Sequence, residues 1–129
     1  MTELIATILV FIVIDGLWLG LVARTFYRRH LGYLMAEKPN WAAAGIFYLL
    51  YALGLTVFAV IPGTDAGSAL EALWRGSLFG LVAYATYDLT NHATVRNWPT
   101  IVTIVDLAWG TVLSASVAAI AAYAVTTFF

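Results

Sequence analysis

Long apolar runs separated by short polar connections make up most of the chain. Four runs are long enough to cross a bilayer, which takes about 20 apolar residues in a helix. They extend approximately from Leu4 to Ala23, from Trp41 to Ile61, from Ser68 to Thr90 and from Ile101 to Thr126. The pattern predicts an all-α fold in which residues 1–129 form a single bundle of four transmembrane helices.

Composition supports a membrane protein. Of the 129 residues, 63% are hydrophobic and 10% are charged, whereas about 25% are charged in a typical soluble domain. The absence of cysteine excludes disulfides, thiolate catalysis and cysteine-ligated metals. Six basic residues in such an apolar chain make no extended phosphate-binding surface, so nucleic acid is not an expected partner. The chain has no glycine-rich phosphate loop and no dinucleotide fingerprint, so no cofactor is predicted.

Basic residues predict the orientation in the membrane. Five of the six lie in the first and third connections, namely Arg24, Arg28, Arg29, Lys38 and Arg96. Loops rich in lysine and arginine stay in the cytoplasm. Both termini are therefore predicted to lie outside.

The first connection, residues 25–37, mixes aromatic and basic side chains. This composition predicts a short interfacial segment on the inner leaflet, where Arg24, Arg28 and Arg29 would bind lipid headgroup phosphates. The alternative is that the arginines only determine topology and bind no specific ligand.

Three aspartates, Asp15, Asp88 and Asp106, lie inside the predicted spans. A carboxylate at the centre of a bilayer costs roughly 2.5–3.5 kcal/mol on insertion scales, so it needs a partner, a proton or a water-lined cavity. A rise of about 1.5 Å per residue places all three in the cytoplasmic half of the membrane. They are the strongest candidates for a functional site, although hydrogen bonding between helices is an equally simple reason for Asp15 and Asp106.

The sequence Asp-x-x-Trp occurs in both the first and the last span, as Asp15 with Trp18 and Asp106 with Trp109. If these antiparallel helices are neighbours, each indole N–H can donate to the carboxylate opposite. We expect a polar pocket that opens toward the cytoplasm, with ligand-binding residues drawn from all four helices: Asp15, Trp18, Tyr48, Tyr84, Tyr87, Asp88, Asn91, Asp106 and Trp109. No strong metal-binding signature is present, and no metal site is predicted.

Two pairs of glycines, Gly16 with Gly20 and Gly76 with Gly80, have the small-xxx-small spacing that lets membrane helices approach closely. They predict helix packing in the bundle, or contact with a second copy or a partner subunit.

The sequence from Tyr84 to Asn91, followed by Trp98-Pro99 and Asp106-x-x-Trp109-Gly110, resembles a family of small bacterial inner-membrane proteins with four predicted spans and no known function. The resemblance covers essentially the whole chain. It implies a multi-pass protein of the bacterial inner membrane and favours lipid-related work.

The leading hypothesis is a protein that binds a lipid-like or amphipathic small molecule, or an accessory subunit in membrane lipid metabolism, with membrane lipids as partners. One alternative is a proton- or ion-coupled transporter that works as an oligomer. Another is an intramembrane enzyme that acts on lipid, with Asp88 or His92 as acid or base. A non-enzymatic role is favoured, and no catalytic residue is assigned.

Overall fold

The computed structural model describes residues 1–129, which form four helices and no strand. We number them α1 (Thr2–Leu34), α2 (Trp41–Asp65), α3 (Ala69–Thr94) and α4 (Thr100–Phe128). The predicted all-α class is therefore correct. Three helices, α1, α2 and α4, are long and apolar enough to cross a membrane. Helix α3 has 26 residues, about 39 Å, but it is more polar than the other three.

Helix α1 is longer than predicted. It continues past Ala23 to Leu34, with a wider π-helical turn at Leu19–Ala23. The helix extends beyond the predicted span, because no glycine or proline interrupts the chain between Val22 and Leu31. Most of the supposed interfacial segment is thus a continuation of the first helix, and Arg24, Arg28 and Arg29 are exposed along it.

Helix α2 begins where the sequence predicts, since the Asn40 side chain caps it by accepting a 3.0 Å hydrogen bond from the Ala43 amide. It ends at Asp65 rather than at Ile61. Pro62 lacks an N–H and its ring crowds the carbonyl four residues earlier. The helix accommodates this with a π-helical stretch at Thr56–Val60 instead of stopping.

Helices α3 and α4 form the closest pair in the bundle. A Cβ atom at Gly80 would lie 2.1 Å from the Gly110 carbonyl oxygen, and one at Gly76 would lie 2.5 Å from the Ser114 carbonyl oxygen. The predicted packing role of Gly76 and Gly80 is confirmed. The other pair, Gly16 and Gly20, has no neighbouring atom within 4 Å, so its predicted role in packing within the bundle was wrong.

Helices α2 and α3 touch at one end and separate at the other. Small residues meet near the connection between them, where a Cβ atom at Gly63 would lie 2.6 Å from the Ala72 Cβ. Further along, aromatic rings hold the helices apart, with the Tyr51 ring centroid 5.2 Å from that of Phe79 and 6.2 Å from that of Tyr84. This change in side-chain size opens a cleft between the two helices.

Candidate functional site

The three aspartates of the apolar runs all face the interior of the bundle. Their exposed fractions are 7% for Asp15, 0% for Asp88 and 5% for Asp106. The chain contains two ion pairs, Arg75 with Glu71 and the N-terminal amine with Glu3, and neither involves these aspartates. Three carboxyl groups therefore occupy the interior without a basic partner from the protein.

Asp106 accepts a hydrogen bond from the Tyr27 hydroxyl. Tyr27 reaches it because α1 continues beyond Ala23 and because long side chains on a helix lean toward its N-terminus. Tyr27 is not among the site residues predicted from the sequence, because residues 25–37 were expected to form an interfacial segment. The uninterrupted run of helix-compatible residues from Val22 to Leu31 is the signal that would have revealed it.

Asp88 projects from α3 toward the carboxyl group of Asp106 on α4. It is completely buried, and no hydrogen-bond donor of the protein reaches either of its carboxylate oxygens. A buried polar atom without a partner typically costs about 1–3 kcal/mol. Two buried carboxyl groups thus face each other without a basic partner, an arrangement that calls for a structural or functional explanation.

Asp15 accepts a hydrogen bond from the Tyr48 hydroxyl. The indole rings of Trp18 and Trp109 stack on each other, with centroids 4.3 Å apart and planes inclined by 10°. Trp109 faces Asp15, but its Nε1 atom is buried without a hydrogen-bond partner. The predicted proximity of the first and last helices is correct, whereas the two predicted indole–carboxylate hydrogen bonds are not formed.

The remaining phenols do not donate to the aspartates. Tyr51 forms a buried hydrogen bond with Ser114, and the Tyr84 ring lies against Gly110. Tyr87 is largely exposed and lies beside the half-buried Asn91.

A cavity of about 370 Å³ occupies the cleft between α2 and α3. Its volume falls within the usual range of ligand pockets, roughly 300–1,000 Å³. Six residues line it: Phe47, Tyr51, Ala83, Tyr84, Tyr87 and Asp106. Asp106 is its one carboxylate, while Phe47 and Tyr87 stand at the exposed margin. The cavity is thus more apolar than predicted, and its walls are the facing sides of α2 and α3.

Of the nine residues predicted to bind a ligand, three line this cavity, namely Tyr84, Tyr87 and Asp106. Asp88 faces Asp106 without lining the cavity, and Asp15, bonded to Tyr48, also lies outside the lining. Trp18, Tyr48, Asn91 and Trp109 lie outside the lining.

A second cluster of polar side chains joins the ends of α3 and α4. The Trp98 indole donates a 3.0 Å hydrogen bond to the Thr103 hydroxyl, whose oxygen lies 3.2 Å from His92 Nδ1. His92 is one turn beyond Asp88 on α3. Nearby, the Tyr33 hydroxyl donates to the Asn97 carbonyl at 2.9 Å and joins the end of α1 to this turn. These contacts fix the helix ends around the aspartates.

The side-chain atoms around the aspartates that could bind a metal ion are carboxyl and phenol oxygens. No group of three or more histidine, aspartate or glutamate side chains lies close enough together to hold a metal ion. Binding by burial, hydrogen bonding and charge is the chemistry that this arrangement supports.

These features define a helical membrane protein with acidic groups in its interior. The chain belongs to the family described as predicted membrane protein DUF2177, whose model matches residues 1–123. The function of this family is not known, as the resemblance found in the sequence implies. No curated protein and no solved structure matches the chain.

Proposed function

We propose that the protein binds an amphipathic small molecule in the cleft between α2 and α3. The apolar part of the molecule would lie against Phe47, Tyr51 and Ala83, and its polar head would reach Asp106. The observation that carries this proposal is the combination of an apolar cavity of about 370 Å³ with one carboxylate in its lining. Ligand sites commonly combine apolar walls with a few polar groups in this way.

The position of the cleft favours a ligand that arrives from the lipid. The side chains of Phe47 and Tyr87 are exposed at the margin of the cleft, where they would contact lipid acyl chains. A second groove, lined by Phe58, Phe79 and Val82 among others, adjoins the cavity at Ala83. An alkyl chain can follow this groove while the head stays beside Asp106.

The proposal includes the placement in the membrane. We propose that α3 is a fourth span, although it is more polar than the others, and that both termini lie outside the bacterial inner membrane. The length of α3, about 39 Å, and the position of five of the six basic residues in the first and third connections support this. Asp65 and Arg96, just beyond the two ends of α3, would then lie on opposite sides of the membrane.

Labelling of single cysteines tests this topology, because the chain contains no cysteine of its own. We expect Asp65→Cys to react with a membrane-impermeant maleimide in spheroplasts. Arg96→Cys is expected to react only after the membrane is opened. Labelling of both positions from the same side would show that α3 does not cross.

The binding proposal is tested by blocking the cleft at Ala83. We expect Ala83→Trp to fill the cavity and to weaken binding of a dodecyl amphiphile about tenfold or more, which corresponds to about 1.4 kcal/mol or more. Saturable binding of radiolabelled 1-dodecanol and of dodecyltrimethylammonium is measured on the full chain in nanodiscs, with empty nanodiscs as the blank.

The matched control is Ala108→Trp, an equal increase in volume on the exposed side of α4. It is expected to leave binding within about twofold of the unmodified chain. If neither probe binds saturably, or if both variants bind as the unmodified chain does, the cleft is not the binding site.

A further inference from the structure

The cavity has the composition of a site for an organic cation. Four aromatic rings line it, from Phe47, Tyr51, Tyr84 and Tyr87, together with the carboxylate of Asp106. Aromatic faces attract cations within about 6 Å of the ring centroid, and quaternary ammonium groups are bound by such cages. No lysine, arginine or histidine contributes to the lining.

The acidic groups in and beside the cavity also favour a cationic ligand. Asp106 receives one hydrogen bond, from Tyr27, and no ion pair. Asp88, which is fully buried, faces the carboxyl group of Asp106 from α3. The protein therefore places one carboxyl group in the lining of an aromatic cavity and a second beside it, and no basic side chain pairs with either.

Basic side chains lie elsewhere in the chain. Arg24, Arg28 and Arg29 are exposed on α1, and Lys38 and Arg96 are exposed in the connections. Arg75 lines the groove that adjoins the cavity, where its charge is paired with Glu71. An anionic head would meet the carboxylate of Asp106 with no cationic side chain in the lining to offset the repulsion, which makes an anionic ligand a poor fit.

We propose that the cleft binds the head of an alkylammonium ion, a cationic amine or quaternary ammonium that carries an apolar chain. The ammonium group would lie between Tyr84, Tyr87 and Phe47, next to the carboxylate of Asp106. The proposal rests on the proposed function and names its ligand class. Two sources share this chemistry, the choline or ethanolamine headgroup of a lipid and a free cationic amphiphile.

The first test compares head groups on one alkyl chain. Dodecyltrimethylammonium, 1-dodecanol and dodecyl sulfate are titrated against the full chain in nanodiscs of phosphatidylglycerol. We expect the cation to bind about tenfold or more tightly than the alcohol, and the sulfate to show no saturable binding. If the alcohol binds as tightly as the cation, and Ala83→Trp weakens both, the cleft binds amphiphiles but the cation proposal is wrong. If Ala83→Trp affects none of the probes, the proposed function itself is wrong.

The second test removes the charge without changing the shape. Asp106→Asn keeps an acceptor for Tyr27, so the fold is expected to survive. It should weaken binding of the cation about tenfold and binding of the alcohol less than about threefold. The matched control is Asp65→Asn, an exposed carboxylate beyond the other end of the bundle, for which no change is expected. Equal loss of both probes in Asp106→Asn would overturn the proposal.

The aromatic wall is tested at Tyr87, whose ring is largely exposed and contacts Trp98 at its edge, with 1-dodecanol as the probe that reports any change in packing. Tyr87→Phe retains the ring and is expected to bind the cation as the unmodified chain does. Tyr87→Leu should weaken cation binding about threefold or more, because it removes one aromatic face. If both variants bind equally well, the rings do not recognise the cation.

Changing the lipid composition of the nanodiscs tests whether the cation is a lipid headgroup or a free amphiphile. If the natural ligand is a headgroup, nanodiscs that contain phosphatidylcholine or phosphatidylethanolamine will compete with dodecyltrimethylammonium and raise its apparent Kd. If it is a free amphiphile, the apparent Kd will be the same in these bilayers as in phosphatidylglycerol. Either result supports a cation site, provided that the Asp106→Asn variant loses the selectivity.

Discussion

Replacement of Gly80 with leucine is expected to destabilise the folded protein by about 3 kcal/mol or more. The first side-chain atom added at this position would lie 2.1 Å from the Gly110 carbonyl oxygen and 2.5 Å from the Ser114 hydroxyl. Backbone atoms cannot move aside as a flexible side chain can, so α3 and α4 would have to separate. Because the cleft is built on α3 and Asp106 lies on α4, their separation would also disrupt the site.

Gly16 provides the matched control for this substitution. Gly16 also lies in a helix and has a glycine four residues away, Gly20. No atom of the protein is within 4 Å of the position that a Cβ atom at Gly16 would occupy. Gly16→Leu is expected to remain within about 0.5 kcal/mol of the unmodified chain or to gain slightly, since leucine favours helix over glycine. Thermal unfolding in a neutral detergent measures both variants. If Gly16→Leu loses as much stability as Gly80→Leu, the described α3–α4 contact is not what Gly80 supports.

The substitution Asp88→Asn is expected to stabilise the protein by about 1–3 kcal/mol. Asp88 is completely buried, its two oxygens have no donor, and it faces a second carboxyl group. Asparagine has nearly the same shape but offers an N–H₂ group that can donate to Asp106. The exchange therefore replaces one of two facing carboxyl groups, which repel each other when both are ionised, with a neutral donor to the other.

The measurement is again thermal unfolding, without added amphiphile, and Asp65→Asn serves as the exposed control. That control should stay within about 0.5 kcal/mol of the unmodified chain. A stability gain in Asp88→Asn would mean that the native carboxylate is retained at a cost, as is common at functional sites. A loss of stability would contradict the description of Asp88 as a group without a stabilising partner.

The all-helical class was predictable because the apolar runs have the length that a membrane crossing requires and because few residues break them. The beginnings of α2 and α4 were also predictable, since Asn40 and Trp98-Pro99 have strong local preferences. The ends of α1 and α2 were not predictable in this way. Pro62 normally ends a helix, yet α2 absorbs it with a π-helical turn, and α1 continues where basic residues suggested an interface.

The candidate site was predicted only in part, for a physical reason. An aspartate in an apolar run is unusual enough to be recognised from sequence, and all three aspartates do face the interior. Partners depend on helix rotation and on side-chain reach across the bundle, which spacing along one helix does not determine. Thus Tyr27, 79 residues away in sequence from Asp106, was not foreseen, and the indoles stacked instead of donating to carboxylates.

The proposed ligand site is the cleft between α2 and α3, where an amphipathic molecule would lie beside Asp106. The most direct measurement is the ratio of dodecyltrimethylammonium affinities of Ala83→Trp and Ala108→Trp, determined side by side in the same nanodiscs. We predict that Ala83→Trp binds about tenfold or more weakly than Ala108→Trp. Equal affinities in the two variants would contradict the claim.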